Sequence, residues 1–133
     1  MKAALYRRYG GADVVEYADI VRPVPGAGEV LVKVAGTSFN PVDSGIRGGY
    51  LTDAFPISFP HVPGIDVAGT VAEVGVAVTA WKAGDTVVGL LPMTAPGAAA
   101  EYVIAPADVL APAPATGALA DAAALPTVGL TAW

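Results

Sequence analysis

Cysteine is absent from this 133-residue chain, so disulfides, thiolate zinc sites and a cysteine nucleophile are excluded together. Histidine occurs once, at His61, which rules out a metal site built from histidines and leaves any Ser-His-Asp triad dependent on that one residue. Charge is scarce as well: 14% of residues are charged, the formal net charge is −5, and no Lys/Arg run is longer than Arg7-Arg8. Such a chain offers phosphates no basic stripe, so nucleic acid and anionic membranes are not expected partners. No window reaches the roughly 18 uninterrupted apolar residues of a membrane helix, and the apolar run at Met1 to Tyr6 is too short for a signal peptide. With the lack of cysteine, this makes a reducing compartment, the cytoplasm, the default expectation. A Gly-x-Gly-x-x-Gly turn between a strand and a helix is also missing, so the chain carries no readable nucleotide-phosphate cradle.

What is present is apolar: 54% of the residues are hydrophobic, enough to offset the entropy of ordering a single domain. The size suits one domain but is small for an enzyme that must also hold a large cofactor, so a piece of something larger is expected. Met1 to Tyr6 and Val14 to Tyr17 read as short strands separated by the Gly10-Gly11 turn. Pro and Gly between Arg22 and Glu29 imply an extended connection and a tight turn. Glu29 to Thr37 then alternates, with Val30, Val32 and Val34 on one face and Leu31, Lys33 and Ala35 on the other, which predicts a half-buried strand. Further strands are expected over Ile65 to Val74, with Gly69 as a bulge or close approach, and over Thr86 to Leu91, Ala99 to Ala105 and Val109 to Ala111. Many short strands with a turn signal every ten residues or so predict a mainly β protein with short helices, a barrel or sandwich. The segment Ala118 to Leu125 is rich in the best helix former, and Thr127 is placed to cap a helix from Val128. A helix opening six residues before the last residue has no way to be stable alone, so a continuation is expected.

The polar chemistry is concentrated between Phe39 and Gly69. Asn40 is a candidate helix cap and Pro41 the first helical residue of a single turn through Gly45. Pro56, Pro60 and Pro63 forbid a regular helix or central strand after it, and a loop of that length is often a binding element. Asn40, Asp43 and Tyr50 can line a polar pocket as hydrogen-bond donor, orienting group and proton donor or wall. They are equally explained as a cap, a first-turn charge and a loop anchor, and spacing alone favours the plainer roles. Arg47 either pairs with Asp43 four residues earlier or faces an anionic ligand. His61 reads as a loop histidine with a satisfied hydrogen bond, and Asp66 as a carboxylate that accepts backbone N–H groups and holds the loop. Trp81 and Trp133 read as core or interface aromatics.

The segments "PGAGEVLVKVAGTSFNPVDSGIRGG", "FPHVPGIDVAGTVAEVG", "WKAGDTVVG", "AAEYVIAPADVLAPAP" and "AAALPTVGLTAW" resemble, in this order, the N-terminal catalytic domain of medium-chain dehydrogenases/reductases. More narrowly they resemble the zinc-independent quinone oxidoreductase branch, the ζ-crystallin-like proteins. The resemblance implies a GroES-like β-barrel over residues 1–126, with residues 127–133 starting the helix that leads to a Rossmann domain beyond the chain. It implies an NADPH-dependent enzyme that passes hydride to a quinone or enone, with the cofactor held mostly by that further domain. It also implies a homodimer for the full-length protein and little activity for this chain alone. The zinc alcohol dehydrogenases carry a ligand cysteine where this chain has Asn40, and Gly-His-Glu where it has Gly64-Ile65-Asp66, so no metal is expected. By similarity, Asn40, Pro41 and Thr127 approach the nicotinamide end of the cofactor, Tyr50 flanks the substrate carbonyl, and Asp43 orients the pocket. Two alternatives remain open: a stand-alone GroES-like binding module, and an enoyl reductase domain of a polyketide-type assembly.

Overall fold

Alternating valines build the centre of the molecule. The computed structural model describes residues 1–132, so the expectation for Trp133 lies outside the described residues. It contains strands β1 (Lys2–Leu5), β2 (Glu16–Asp19), β3 (Glu29–Gly36), β4 (Asp66–Val74), β5 (Thr86–Leu90), β6 (Tyr102–Pro106) and β7 (Leu110–Pro112). Two short helices, α1 (Pro41–Gly48) and α2 (Pro126–Ala132), complete the regular structure with three 3-10 turns. β1 and β2 form an antiparallel ribbon, while the other strands form an antiparallel sheet in the order β6-β3-β4-β5-β7. Val30 and Val32 of β3, Val67 and Val71 of β4, Val87 of β5, Val103 of β6 and Leu110 of β7 share one core cluster. Because β6 and β7 lie at opposite edges and still contribute to the same cluster, the sheet curls around its core in a barrel-like way. Each such buried side chain contributes about 1.5–3 kcal/mol.

β3 is more deeply buried than its alternation predicts. Val30, Leu31 and Val32 are all fully covered, and only from Lys33 onward does the strand reach the surface on one face. The reason is position: β3 lies inside the sheet, paired with β4 on one side and β6 on the other. Gly69 is a close approach. A Cβ there would sit 2.3 Å from the Lys33 carbonyl oxygen, and the β3–β4 register shifts nearby, between Val34 and Gly36.

Four local expectations are corrected. Residues 12–14 form a 3-10 turn, and the strand begins at Glu16. α1 makes two turns and stops only at Gly49, which is left-handed with φ 81°. The alanine-rich stretch is a 3-10 helix over Leu119–Ala124, with Ala122 and Ala123 packed against Ala68 of β4. Its small side chains serve close packing there, and tertiary contact overrides propensity. α2 begins at Pro126 rather than Val128. Trp81 packs on the core edge and donates its indole N–H to the Ala107 carbonyl oxygen at 3.0 Å.

Candidate functional site

β4 starts with a buried charge ahead of the apolar run Val67-Ala68-Gly69, and the site is built around it. Asp66 is 1% exposed. A carboxylate this deep persists only if donors replace its lost water. Asp66 Oδ1 accepts the Thr127 backbone N–H at 2.8 Å and the Thr127 hydroxyl at 2.7 Å. Its Oδ2 accepts the Asn40 side-chain amide at 2.9 Å and the Ser38 hydroxyl. The Thr37 hydroxyl donates to the Asp66 backbone oxygen at 2.8 Å. One residue therefore ties the end of β3, the start of α1 and the first turn of α2 together. Thr127 follows Pro126 at the head of α2, where its N–H has no acceptor within the helix, so Asp66 caps that helix from a different strand.

The helix start supplies a second carboxylate. Asn40 has the extended backbone of a cap residue, Pro41 is the first helical residue, and Asp43 Oδ2 reaches back to accept the Asn40 N–H at 2.8 Å. Burial pushes the Asp43 carboxyl above its ordinary value; the Asn40 and Gly64 backbone N–H groups oppose that rise, and the nearby Asp66 charge adds to it. Gly64 is what lets the loop turn into β4 here, since it adopts φ +103° and a Cβ would lie 2.6 Å from Thr37 Oγ1.

Asn40 and Thr127 thus converge on Asp66, and Asp43 joins them through the Asn40 N–H, while Pro41 is the first helical residue after Asn40 and makes no hydrogen bond to Asp66. Tyr50 does not join them: it is 85% exposed, on the turn after α1, with its ring against Gly48. Arg47 forms no ion pair with Asp43; its Nε and the Tyr6 hydroxyl are both buried and find no hydrogen-bond partner among the described residues. Burial pushes the Tyr6 hydroxyl up to about 12. His61 is buried too. Its hydrogen bonds are made by its backbone, which exchanges two bonds with Tyr6 at 2.9 and 3.0 Å, while its ring packs edge-on to the Tyr6 ring with centroids 5.4 Å apart. Burial lowers its imidazole below the ordinary value. Asp66 holds far more than its loop. Sequence reasoning missed Ser38, Thr37 and the reach from Asp66 to Thr127; the available signal was one charge opening a strand whose next residues are all apolar.

Two hollows flank these elements. The larger, about 480 Å³, is lined mainly by apolar residues such as Ile20, Val62, Pro96 and Val103, and none of Asn40, Pro41, Asp43, Tyr50, Asp66 or Thr127 lines it. The smaller, about 350 Å³, opens beside the Asp66 cluster and is lined by Thr37, Ser38, Phe39, Asp43, Gly64 and Ala99. A binding site needs a few convergent polar groups on an apolar wall, so the smaller hollow is the candidate. Among the described residues no group of three His, Cys, Asp or Glu side chains is placed to hold a metal ion, and no helix is long and apolar enough to cross a membrane.

Residues 26–115 match the alcohol dehydrogenase GroES-like domain family. A chloroplastic quinone-oxidoreductase homolog of Spinacia oleracea is 39% identical over 133 residues, covering 99% of this chain and 40% of its own length. Quinone oxidoreductase of Mus musculus is 37% identical over 126 residues, covering 94% and 37%. The structure of Escherichia coli quinone oxidoreductase complexed with NADPH superposes with a TM-score of 0.88 at 31% identity, over 98% of this chain and 39% of that one. The chain thus spans about two-fifths of the length of the curated relatives it matches. With its curled antiparallel sheet and its match over the greater part of its length, the chain belongs to the alcohol dehydrogenase GroES-like domain family of the medium-chain dehydrogenases/reductases.

Proposed function

We propose that this chain forms one wall of the hydride-transfer site of an NADPH-dependent, zinc-independent quinone oxidoreductase. The observation that carries the reading is the gathering of Asn40 and Thr127, from segments far apart in sequence, on the single carboxylate of Asp66. The chemistry of the side chains suits a site without metal, because Asn40, Ile65 and Thr127 offer an amide, an alkyl group and a hydroxyl, all poor zinc ligands. The uncharged nicotinamide end of a cofactor fits small neutral polar groups such as the Asn40 amide and the Thr127 hydroxyl, with the open hollow lined by Thr37 and Ser38 beside them and Phe39 as an exposed apolar flank. When bound, NADPH supplies the hydride. The chain's own contribution is positioning. Asp66 locks the Asn40 amide and the Thr127 hydroxyl, Asp43 fixes the Asn40 backbone, and the hollow beside them gives an acceptor ring a partly apolar seat.

The GroES-like family and the relatives named quinone oxidoreductases support an oxidoreductase; the quinone, rather than an enone, is the finer part of the proposal. In the full-length protein, NADPH oxidation should proceed with quinones and survive a chelator. Loss of activity on chelation would refute the zinc-free site, and activity with enones alone would refute the quinone assignment. Asn40→Ala should lower kcat/KM about tenfold or more while leaving the fold intact by circular dichroism.

A further inference from the structure

A third hollow lies inside the molecule, behind α1. It measures about 10 Å³, the least room that takes one water molecule, and its walls include the buried residues Tyr6, Asp43, Ile46, His61 and Ile65. Tyr6 is 1% exposed. Its hydroxyl finds no hydrogen-bond partner among the described residues, and its ring is packed edge-on by Phe59 and His61, so the group cannot swing out to solvent. A buried hydroxyl left in this way carries the whole penalty of its lost hydration. Beyond burial, which pushes that hydroxyl up to about 12, the Arg47 charge lowers it and the Asp43 charge raises it, so both charges lie near its oxygen.

Two acceptors share the hollow with this donor. Asp43 takes the Asn40 N–H on Oδ2 and the Gly64 N–H as a second donor, yet a carboxylate has about four acceptor sites. His61 makes its hydrogen bonds through its backbone, which leaves its ring nitrogens available. Burial lowers its imidazole, which favours the neutral ring and so one acceptor nitrogen. One hydroxyl donor facing two acceptors is the complement of a molecule that accepts one hydrogen bond and donates two.

We propose that this hollow is a hydration site, in which one buried water accepts a hydrogen bond from the Tyr6 hydroxyl and donates to the Asp43 carboxylate and the His61 ring. Three bonds are what a buried water ordinarily makes. Ions do not suit the place: the Arg47 charge repels a cation, the Asp43 charge repels an anion, and the volume admits neither with a hydration shell. The three partners come from the residue after β1, from α1 and from the loop that leads into β4, so the water ties these segments together. Asp43 also lines the open hollow of about 350 Å³. The water thus braces from behind the carboxylate that fixes the Asn40 backbone, whether or not the open hollow takes part in hydride transfer.

A high-resolution crystal structure of the protein, together with Tyr6→Phe, tests the site. Density for one water is expected within about 3.2 Å of the Tyr6 hydroxyl oxygen and of an Asp43 carboxylate oxygen. The variant keeps the ring and its packing and removes the hydroxyl alone. Where that hydroxyl bonds a water, Tyr6→Phe deletes a bond that is made, and the unfolding equilibrium constant in urea should rise about fivefold. Where it has no partner of any kind, the same change removes an unsatisfied group, and the constant should stay level or fall. Density without a water, a water touching neither Tyr6 nor Asp43, or a level or lower unfolding constant in Tyr6→Phe would overturn the proposal.

Discussion

Strand β4 contains two regions built on opposite principles. Val67 and Val71 face an apolar cluster in which contacts are many, weak and non-directional. Asp66, one residue before Val67, faces four donors, each with a fixed direction. The apolar region sets stability and tolerates changes that conserve volume; the polar region sets geometry and tolerates almost nothing, because any lost partner leaves a buried group unsatisfied. A molecule that must fold robustly and still hold a few atoms in place separates these two demands along one strand.

The comparison can be broken from either side. The largest loss should come from the apolar side: Leu91→Ala removes a fully buried side chain from the main cluster and should cost about 3 kcal/mol in urea unfolding, without changing the signals of Asn40 or Thr127. Asp66→Ala should cost about 2 kcal/mol and, unlike Leu91→Ala, should free the head of α2, read as faster exchange of its first amides. Trp81→Phe keeps most of the packing but loses the bond to the Ala107 carbonyl, and should cost about 1 kcal/mol.

A smaller effect is expected from His61. Burial holds its imidazole below the ordinary value of 6.5, so as pH falls the unfolded chain takes up a proton before the folded one does. Its contribution to stability is complete above about pH 6.5 and is lost on acidification below it. Thermal unfolding followed from about pH 7.5 to 5.5 should show this decline, and His61→Gln should reduce its slope. At the bottom of the scale stands Lys2, whose ion pair with Asp19 is solvent-exposed; Lys2→Met should leave the urea midpoint unchanged.

The sheet was legible because a strand that is apolar on its inner face writes a period of two into the sequence. β3, β4 and β5 appear where Val30 to Val34, Val67 to Val71 and Val87-Val88 predict them. The 3-10 helix at Leu119–Ala124 was not legible, since alanine's propensity says nothing about Ala122 and Ala123 being pressed against Ala68. Asn40, Asp43 and Thr127 could be singled out by type and by resemblance. That Asp66 bonds both Asn40 and Thr127 could not be read, because the bond from Thr127 to Asp66 spans 61 residues, and a sequence pattern carries no distance between segments that far apart. Tyr50 shows the converse: its residue type suggested a role, and its 85% exposure places it outside the cluster.

Hydrogen exchange at the Thr127 backbone amide tests the central claim, that one carboxylate joins β4 to α2 and orients the site. This N–H lies in the first turn of a short helix and has no acceptor within it, so only Asp66 can protect it. The account predicts exchange at least about a hundredfold slower than in an unstructured peptide, with that protection lost in Asp66→Ala. Unprotected exchange of Thr127 in the unmodified chain, or equal protection in the variant, would contradict it.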